Sequence, residues 1–353
     1  MGSSASVRHS RPGGRAATAG LLGTAVAAAS IGLLALVTPA AAGTAGAGTA
    51  GAGTAGLARA SRAGTPAAGG RGDAASIAVS CTSAAHRRLA ARLATGIRAA
   101  LRGRLSTVAL RVEDRSKDLT CSLSTRMHFD SASVVKVIIL GTLLRMAETQ
   151  HRHLTRHEVA LATAMITESD NDAASALWAE VGRGRLQYFL GRARMAETQL
   201  GPGGYWGLTL ITAHDEALLL NLLMYPNTVL TPASRAFALN LMARVIPAQR
   251  WGVTAGAPAD LTAHVKNGWL PLATHGWRIH SIGCFTGHHR GYSIVVLTED
   301  NPTMQYGIST ISGAAEVIHR QLSPPGTAFI RPARPAPSWG TPDERIPVQA
   351  GGR

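Results

Sequence analysis

Three short stretches carry residue types that can perform acyl transfer together. In "FDSASVVKVIIL" (129–140) Ser133 precedes Lys136 by three residues. In "TESDNDAASALW" (167–178) a serine, an aspartate and an asparagine stand side by side as Ser169, Asp170 and Asn171. In "HVKNGWLP" (264–271) Lys266 is followed by Asn267, Gly268 and Trp269. A serine hydroxyl is a poor nucleophile until a base takes its proton. Lysine can be that base when it is buried or set among other cations, whereas arginine keeps its proton at any accessible pH. The chain uses lysine sparingly. Of its 35 lysines and arginines only Lys117, Lys136 and Lys266 are lysine. Two of the three fall inside these stretches, and Lys117 reads as a turn residue.

The chemistry depends on the elements that hold these groups. An apolar run follows Ser133, so residues 132–148 read as a mostly buried helix with Ser133 at its start. There the unpaired N–H groups and the positive end of the dipole favour an oxyanion. Lys136 falls one turn later on the same face. Ser169–Asn171 lies in a polar turn between helical patterns at 157–167 and 173–181. Lys266–Gly268 ends a strand pattern at 262–267, with a glycine that allows close approach of another backbone.

The remaining pattern supplies the frame. "AAHRRLAARLATGIRAAL" (84–101) has helical apolar spacing, and "TVALRVEDRS" and "LTCSLST" alternate like two strands joined at Lys117–Asp118. "TRHE" (155–158) is a capping box, and Pro232 opens a helix over 232–245. A helix at 213–225, strands at 277–286 and 291–299 and a closing helix at 305–321 complete the order. Strands at both ends of the body and helices between predict an α+β, three-layer α/β/α fold: a five-stranded antiparallel sheet flanked by helices, with an all-helical insertion. A cleft is expected between sheet and helices, with Ser133 opening its helix there and the Ser169–Asn171 turn able to enter it.

S-x-x-K, S-D-N and K-T/S-G in this order resemble the penicillin-recognising serine enzymes, the class A β-lactamases and the penicillin-binding DD-peptidases. The phenylalanine four residues before Ser133, the "SDNDAA" extension and the helical insertion are most similar to class A, and the resemblance covers about residues 85–320. It implies the β-lactamase/transpeptidase-like fold and a role for each residue. Ser133 is acylated, Lys136 takes or relays its proton, and Ser169 passes a proton to the leaving nitrogen. Asn171 holds the substrate amide and helps position Lys136. Lys266 and Asn267 face the substrate carboxylate, and the N–H groups of Ser133 and Trp269 form the oxyanion hole beside Gly268. The implied substrate is a β-lactam or a peptidoglycan peptide. The alternatives are a cell-wall DD-peptidase acting on D-Ala-D-Ala peptides and a penicillin-binding module without turnover. No cofactor and no metal is implied.

The sequence departs from the class A pattern in three places. Asn267 replaces the usual threonine or serine. Ser169 follows Ser133 by only 36 residues. No true E-x-x-L-N occurs; its nearest match is Glu197-Thr198-Gln199-Leu200-Gly201. The carboxylate that would activate a deacylating water is therefore missing from its place, and acylation is expected to outpace deacylation. Glu168 and Glu197 are the substitute bases to consider.

Other polar and aromatic residues receive plainer readings. His151, His153 and His157 belong to a solvated interhelical loop. Trp178, Trp251 and Trp277 are core, Trp206 and Trp269 are placed to line the cleft, and Arg278 and Arg290 read as ordinary surface charges, with help in carboxylate binding as the alternative.

Composition bounds the rest. The 353 residues are 46% hydrophobic and carry a net charge of +15. There is no run of five basic residues and no nucleic-acid motif, so nucleic acid is not a partner. The positive balance suits electrostatic association with anionic cell-wall polymers. "RHSRPGGR", an apolar run from Ala16 to Val37 and "TPAAA" read as an export signal over 1–42 cleaved near Ala42, with an uncleaved anchor as the alternative. A low-complexity spacer follows (43–79), then the hydrolase body (80–322) and a proline-rich disordered tail (323–353). The expected location is secreted or cell-envelope. Export permits oxidation, so Cys81 and Cys121, which flank the first helix–strand unit, are expected to be bridged and Cys284 to be a buried thiol. No pair has C-x-x-C spacing, which argues against a cysteine zinc site.

Overall fold

The computed structural model describes residues 77–287 and 290–330. The expected export signal, most of the spacer and the tail beyond residue 330 lie outside the described residues.

The chain opens with a short strand, β1 (Ser80–Thr82), and a helix, α1 (Arg87–Leu101). Helix α1 buries Ala90, Leu93, Ala94, Ile97 and Leu101, one apolar stripe at helical spacing, and turns its arginines outward. Strands β2 (Thr107–Asp114) and β3 (Leu119–Leu123) follow as a hairpin. Its turn puts Asp118 in the left-handed region, where Asp114 accepts from the Lys117 N–H. A two-residue strand, β4 (Phe129–Asp130), then leads into a 3-10 turn at 132–135 that runs straight into α2 (Lys136–Thr149). Helix α2 is buried on nearly every side over its mostly apolar first three turns, and forms the axis of the helical insertion.

Around it pack α3 (Arg156–Thr167), α4 (Asn171–Ala193) and α6 (Pro232–Ala243). Helix α3 starts at the expected capping box: Thr155 Oγ1 accepts from Glu158 N, and the Glu158 carboxylate accepts from Thr155 N. Helix α4 runs twelve residues beyond the expected end. Its continuation is broken at Gly182, which adopts φ 72°, so two helical segments are joined at a kink that hides the second from a periodicity reading. Strand β5 (Leu210–Ile211) pairs with β4, and α5 (Ala213–Met224) packs on the sheet.

The last third supplies the long strands β6 (Thr262–Pro271), β7 (Trp277–Gly287) and β8 (Arg290–Asn301), then α7 (Met304–Leu322). The sheet order is β1-β3-β2-β8-β7-β6, antiparallel throughout. It has six strands, one more than expected. The addition is β1, whose Cys81 lies opposite Cys121 and is bridged to it, so a three-residue edge strand is held by a covalent tie. Cys284 is a buried thiol on β7. Strands β6, β7 and β8 are buried almost end to end, because helices cover both faces of the sheet: α1 and α7 one face, the insertion with α5 and α6 the other. This is the expected three-layer α+β architecture.

Two further differences matter. The strand carrying Lys266–Gly268 does not end there but continues through Pro271, so the glycine is mid-strand. Residues 323–330, expected as the start of the tail, return to the body, where Ala259 N donates to Ala328 O and Ile330 N to Ala257 O. No helix among the described residues is long and apolar enough to cross a membrane.

Candidate active site

The three stretches meet at the start of α2, at the turn before α4 and at the middle of β6. Ser133 sits in the 3-10 turn and is buried. Ala132 just before it has φ 47°, and Ser169 has φ 61°. A side-chain-bearing residue in that region costs about 1–2 kcal/mol, so two strained residues are held at one place by their surroundings. What holds Ala132 is visible. Ser131 N donates to Thr209 O at 2.8 Å, and Val134 N donates to Ser131 O at 3.1 Å.

Ser169 gathers both lysines. Lys136 Nζ donates to Ser169 O (2.6 Å), Ser169 Oγ (3.1 Å) and Asn171 Oδ1 (2.7 Å). Lys266 Nζ donates to the same Ser169 Oγ at 2.9 Å and to Asn267 O at 2.9 Å. Both lysine side chains are fully buried. A hydroxyl has two acceptor lone pairs and one donor hydrogen. With both lone pairs turned to lysines, the Ser169 hydrogen is left to donate to a third group. Asp170 caps α4 through its bond from Ala173 N, which fixes the turn that presents Ser169 and Asn171.

Gly268 lies against the backbone of the nucleophile segment. A Cβ there would stand 2.9 Å from Ser131 O, 3.0 Å from Ser133 N and 3.1 Å from Val134 N. Only glycine lets β6 approach the first turn so closely, and this approach brings the backbone of β6 at Gly268 against the Ser133 N–H. Trp269 is buried, with its ring 6.1 Å from that of Trp251.

Asn267 is placed differently from the expectation. Its Nδ2 donates to Gln249 O (2.7 Å) and Trp251 O (3.2 Å), and the side chain is buried. Two carbonyls demand the NH2 end there, so the amide donor is spent on the fold and is not presented to a carboxylate. Gln249 in turn donates from Nε2 to Glu168 O at 2.8 Å, tying the end of α3 to β6.

Of the candidate substitute bases, one is turned to solvent and the other is engaged by a different set of residues. The Glu168 residue is exposed at the end of α3. The Glu197 carboxylate pairs with Arg126 and accepts from Thr212 Oγ1 at 3.3 Å. In their stead an aromatic meets the lysine. The ring of Trp206 lies 4.8 Å from Lys136 Nζ, and its Nε1 donates to Ser175 Oγ at 3.2 Å. Trp178 and Trp251 are buried and Trp277 partly so, as core. Arg278 is buried against Asp130 (3.2 Å), and Arg290 forms a two-pronged pair with Asp260. His151, His153 and His157 are exposed.

Sequence reasoning passed over His280. Its Nε2 donates to Asp130 O (2.8 Å) and its Nδ1 accepts from Thr298 N (3.2 Å), an arrangement that suits only a neutral ring. Complete burial pushes its pKa down to about 4. It joins β7 to the segment that leads into Ser133. Only its inward place on a strand hinted at this.

Residues 159–322 match the model of the beta-lactamase enzyme family. The match takes in Ser169–Asn171 and Lys266–Gly268; Ser133 and Lys136 precede it. No curated protein matches the chain in sequence. In structure the chain is similar to a class A β-lactamase from Bacteroides cellulosilyticus, at 16% identity and TM-score 0.58, over 66% of this chain and 97% of that one. It is similar to a β-lactamase from Sphaerobacter thermophilus at 19% and 0.56, over 66% and 98%. It is also similar to PBP-A at 17% and 0.56, over 66% and 96%. The fold is β-lactamase-like. The family model over residues 159–322 thus bears out the resemblance to β-lactamases, and the architecture is the fold that class A β-lactamases and PBP-A share.

Proposed function

We propose that this β-lactamase-like chain is an active-site-serine hydrolase that forms an acyl-enzyme on Ser133 with β-lactams or the D-Ala-D-Ala-like peptides they mimic. The observation that carries the reading is the convergence on Ser169 Oγ of Lys266 and of Lys136, the lysine one helical turn after Ser133. Lys136, as the free amine, takes the Ser133 proton while Oγ bonds to the substrate carbonyl carbon. The oxyanion rests on the N–H groups of Ser133 and Trp269; losing one such donor costs about 3–4 kcal/mol of transition-state stabilisation. As the C–N bond breaks, Ser169 gives its hydrogen to the nitrogen and recovers one from the Lys136 ammonium 3.1 Å away. Lys266 supplies positive potential for the substrate carboxylate. Asn267 acts here through the fold, because its NH2 is engaged by two backbone carbonyls.

Acylation outpaces deacylation in this reading. A positioned general base contributes about 10²–10⁴-fold, and the segment 201–209, "GPGGYWGLT", holds no acidic residue. Fluorescent penicillin should label the protein with a burst equal to the enzyme concentration, followed by slow release. Mass spectrometry should place the adduct on the Ser133 peptide. Equal labelling of a Ser133→Ala variant, or rapid hydrolysis without a burst, would refute the proposal.

A second reading, a DD-peptidase or a penicillin-binding protein without turnover, is favoured by that same carboxylate-free segment. The likeness to PBP-A, one form of which is described as an acyl-enzyme complex with penicillin G, points the same way. Release of D-alanine from a D-Ala-D-Ala peptide at a rate exceeding penicillin hydrolysis would select it. The same proposal includes export, with a mature chain that starts after Ala42, and electrostatic association with anionic cell-wall polymers. N-terminal sequencing of the secreted protein tests the first, and salt-dependent retention on isolated cell walls the second.

A further inference from the structure

We infer that Trp206 is a positioning residue for Lys136, using its indole face to hold the ammonium against Ser169 and Asn171; this rests on the acyl-transfer reading above. Four observations support it. The ring centroid lies 4.8 Å from Lys136 Nζ, within the distance at which an aromatic face attracts a cation. The residue is buried, so bulk water does not screen the contact. The ring is fixed at its far edge, where Nε1 donates to Ser175 Oγ on α4 at 3.2 Å, one turn beyond Asn171. The backbone of the same turn supports the nucleophile segment, because Thr209 O accepts from Ser131 N at 2.8 Å. A single loop thus carries both the brace under Ser133 and the aromatic face over Lys136. Ser169 and Asn171 supply the lysine's oxygen partners and Trp206 supplies an apolar one. Trp206 moves no proton itself and acts only through its contact with Lys136.

The contact favours the ammonium over the free amine. Removing the ring should therefore have two separable effects. The plateau rate of acylation falls, because Lys136 is less firmly held, and its rising limb against pH moves to lower pH, because the charged form has lost a stabilising partner. The experiment compares Trp206→Ala, Trp206→Phe and Ser175→Ala in the full chain. The plateau is expected to fall roughly 3- to 30-fold in Trp206→Ala, the span of cation–π contacts from exposed to desolvated. Trp206→Phe, which keeps a ring face, should recover much of the loss, and Ser175→Ala, which only frees the ring, should be mildest.

A second readout needs no acylation. With only three lysines in the chain, lysine-selective carbon-13 labelling gives three sets of side-chain signals, and Lys136→Arg identifies one of them. The Lys136 Cε signals should carry a ring-current shift that disappears in Trp206→Ala and partly survives in Trp206→Phe. If the wild type does not acylate, the acyl-transfer reading fails and the lysine signals alone decide this inference. Lys136 signals that do not change in Trp206→Ala, or a plateau that falls with no movement of the pH limb, would overturn it.

Discussion

Gly268→Ala tests the site geometry with one methyl group. No left-handed backbone angle is required at position 268, so alanine brings no conformational penalty of its own. Its effect is steric and local. The new Cβ meets Ser131 O at 2.9 Å, Ser133 N at 3.0 Å and Val134 N at 3.1 Å, all backbone atoms that cannot rotate away. Ordinary contacts of such a carbon begin at 3.4 Å, so relieving the 2.9 Å contact requires β6 and the 3-10 turn to separate by about 0.5 Å. Overpacking of this kind costs about 1–3 kcal/mol of stability. The same movement misaligns the two N–H groups assigned to the oxyanion. A ~1 Å displacement can cost about 10²-fold in rate and loss of a donor about 10²–10³-fold, so acylation should fall by roughly 10- to 100-fold. The assay pairs urea unfolding with the rate of fluorescent-penicillin labelling. Gly184→Ala is the control: its Cβ meets nothing within 4 Å, it lies inside α4, and the exchange should stabilise by roughly 0.5–1 kcal/mol while leaving labelling unchanged. A Gly268→Ala variant that labels at the wild-type rate would refute the close-approach argument.

Four further outcomes follow from the same contacts. Lys136→Arg should abolish acylation although charge is kept, since a guanidinium cannot give up its proton; near-normal labelling would mean that the residue acts only as a charge. Lys266→Arg should weaken substrate binding more than it slows the chemical step, seen as a larger change in half-saturating concentration than in plateau rate. Replacing Cys81 and Cys121 by serine removes a tie across 40 residues and should lower stability by about 2–4 kcal/mol in urea unfolding, with β1 the first element to exchange its amides. The pH dependence of stability should show two windows. His280 and His319 are held by burial at about 4, below the ordinary 6.5, so the unfolded chain takes up protons first as pH falls. Their contribution is complete above 6.5 and is lost between 6.5 and 4, up to roughly 3 kcal/mol each. Glu158, held at about 2 by Arg152, contributes above 4.5 and loses its share as pH falls from 4.5 towards 2. A His280→Gln variant whose unfolding free energy keeps the wild-type slope between pH 6.5 and 4 would contradict the first window.

Much of this protein is written in local pattern. The apolar stripe of α1, the capping box at Thr155–Glu158, Pro232 at the first turn of α6 and the alternation of β2 and β3 are decided by residues within a few positions of one another. So the layer order and the three stretches could be read from the sequence, as could the scarcity of lysine that set two of them apart. Neighbours distant in the chain decided the rest. Gly268 read as the end of a strand because glycine weakens strands, yet β6 continues through it because the backbone of Ser131–Val134 occupies the space of its missing side chain. Asn267 read as a replacement hydrogen-bond donor for substrate, but the carbonyls of Gln249 and Trp251 take that donor. Gly182 ended the visible periodicity of α4, while the chain resumed as helix beyond the kink. Strand β1 is too short to carry a pattern and exists through its partner β3 and the Cys81–Cys121 bond. The indole that lies against Lys136 comes from a turn seventy residues later, and His280 braces Asp130 from 150 residues away. Periodicity reports which face of an element is buried. It does not report which distant atoms will be found there, and that pairing is what turns two lysines and two serines into a site.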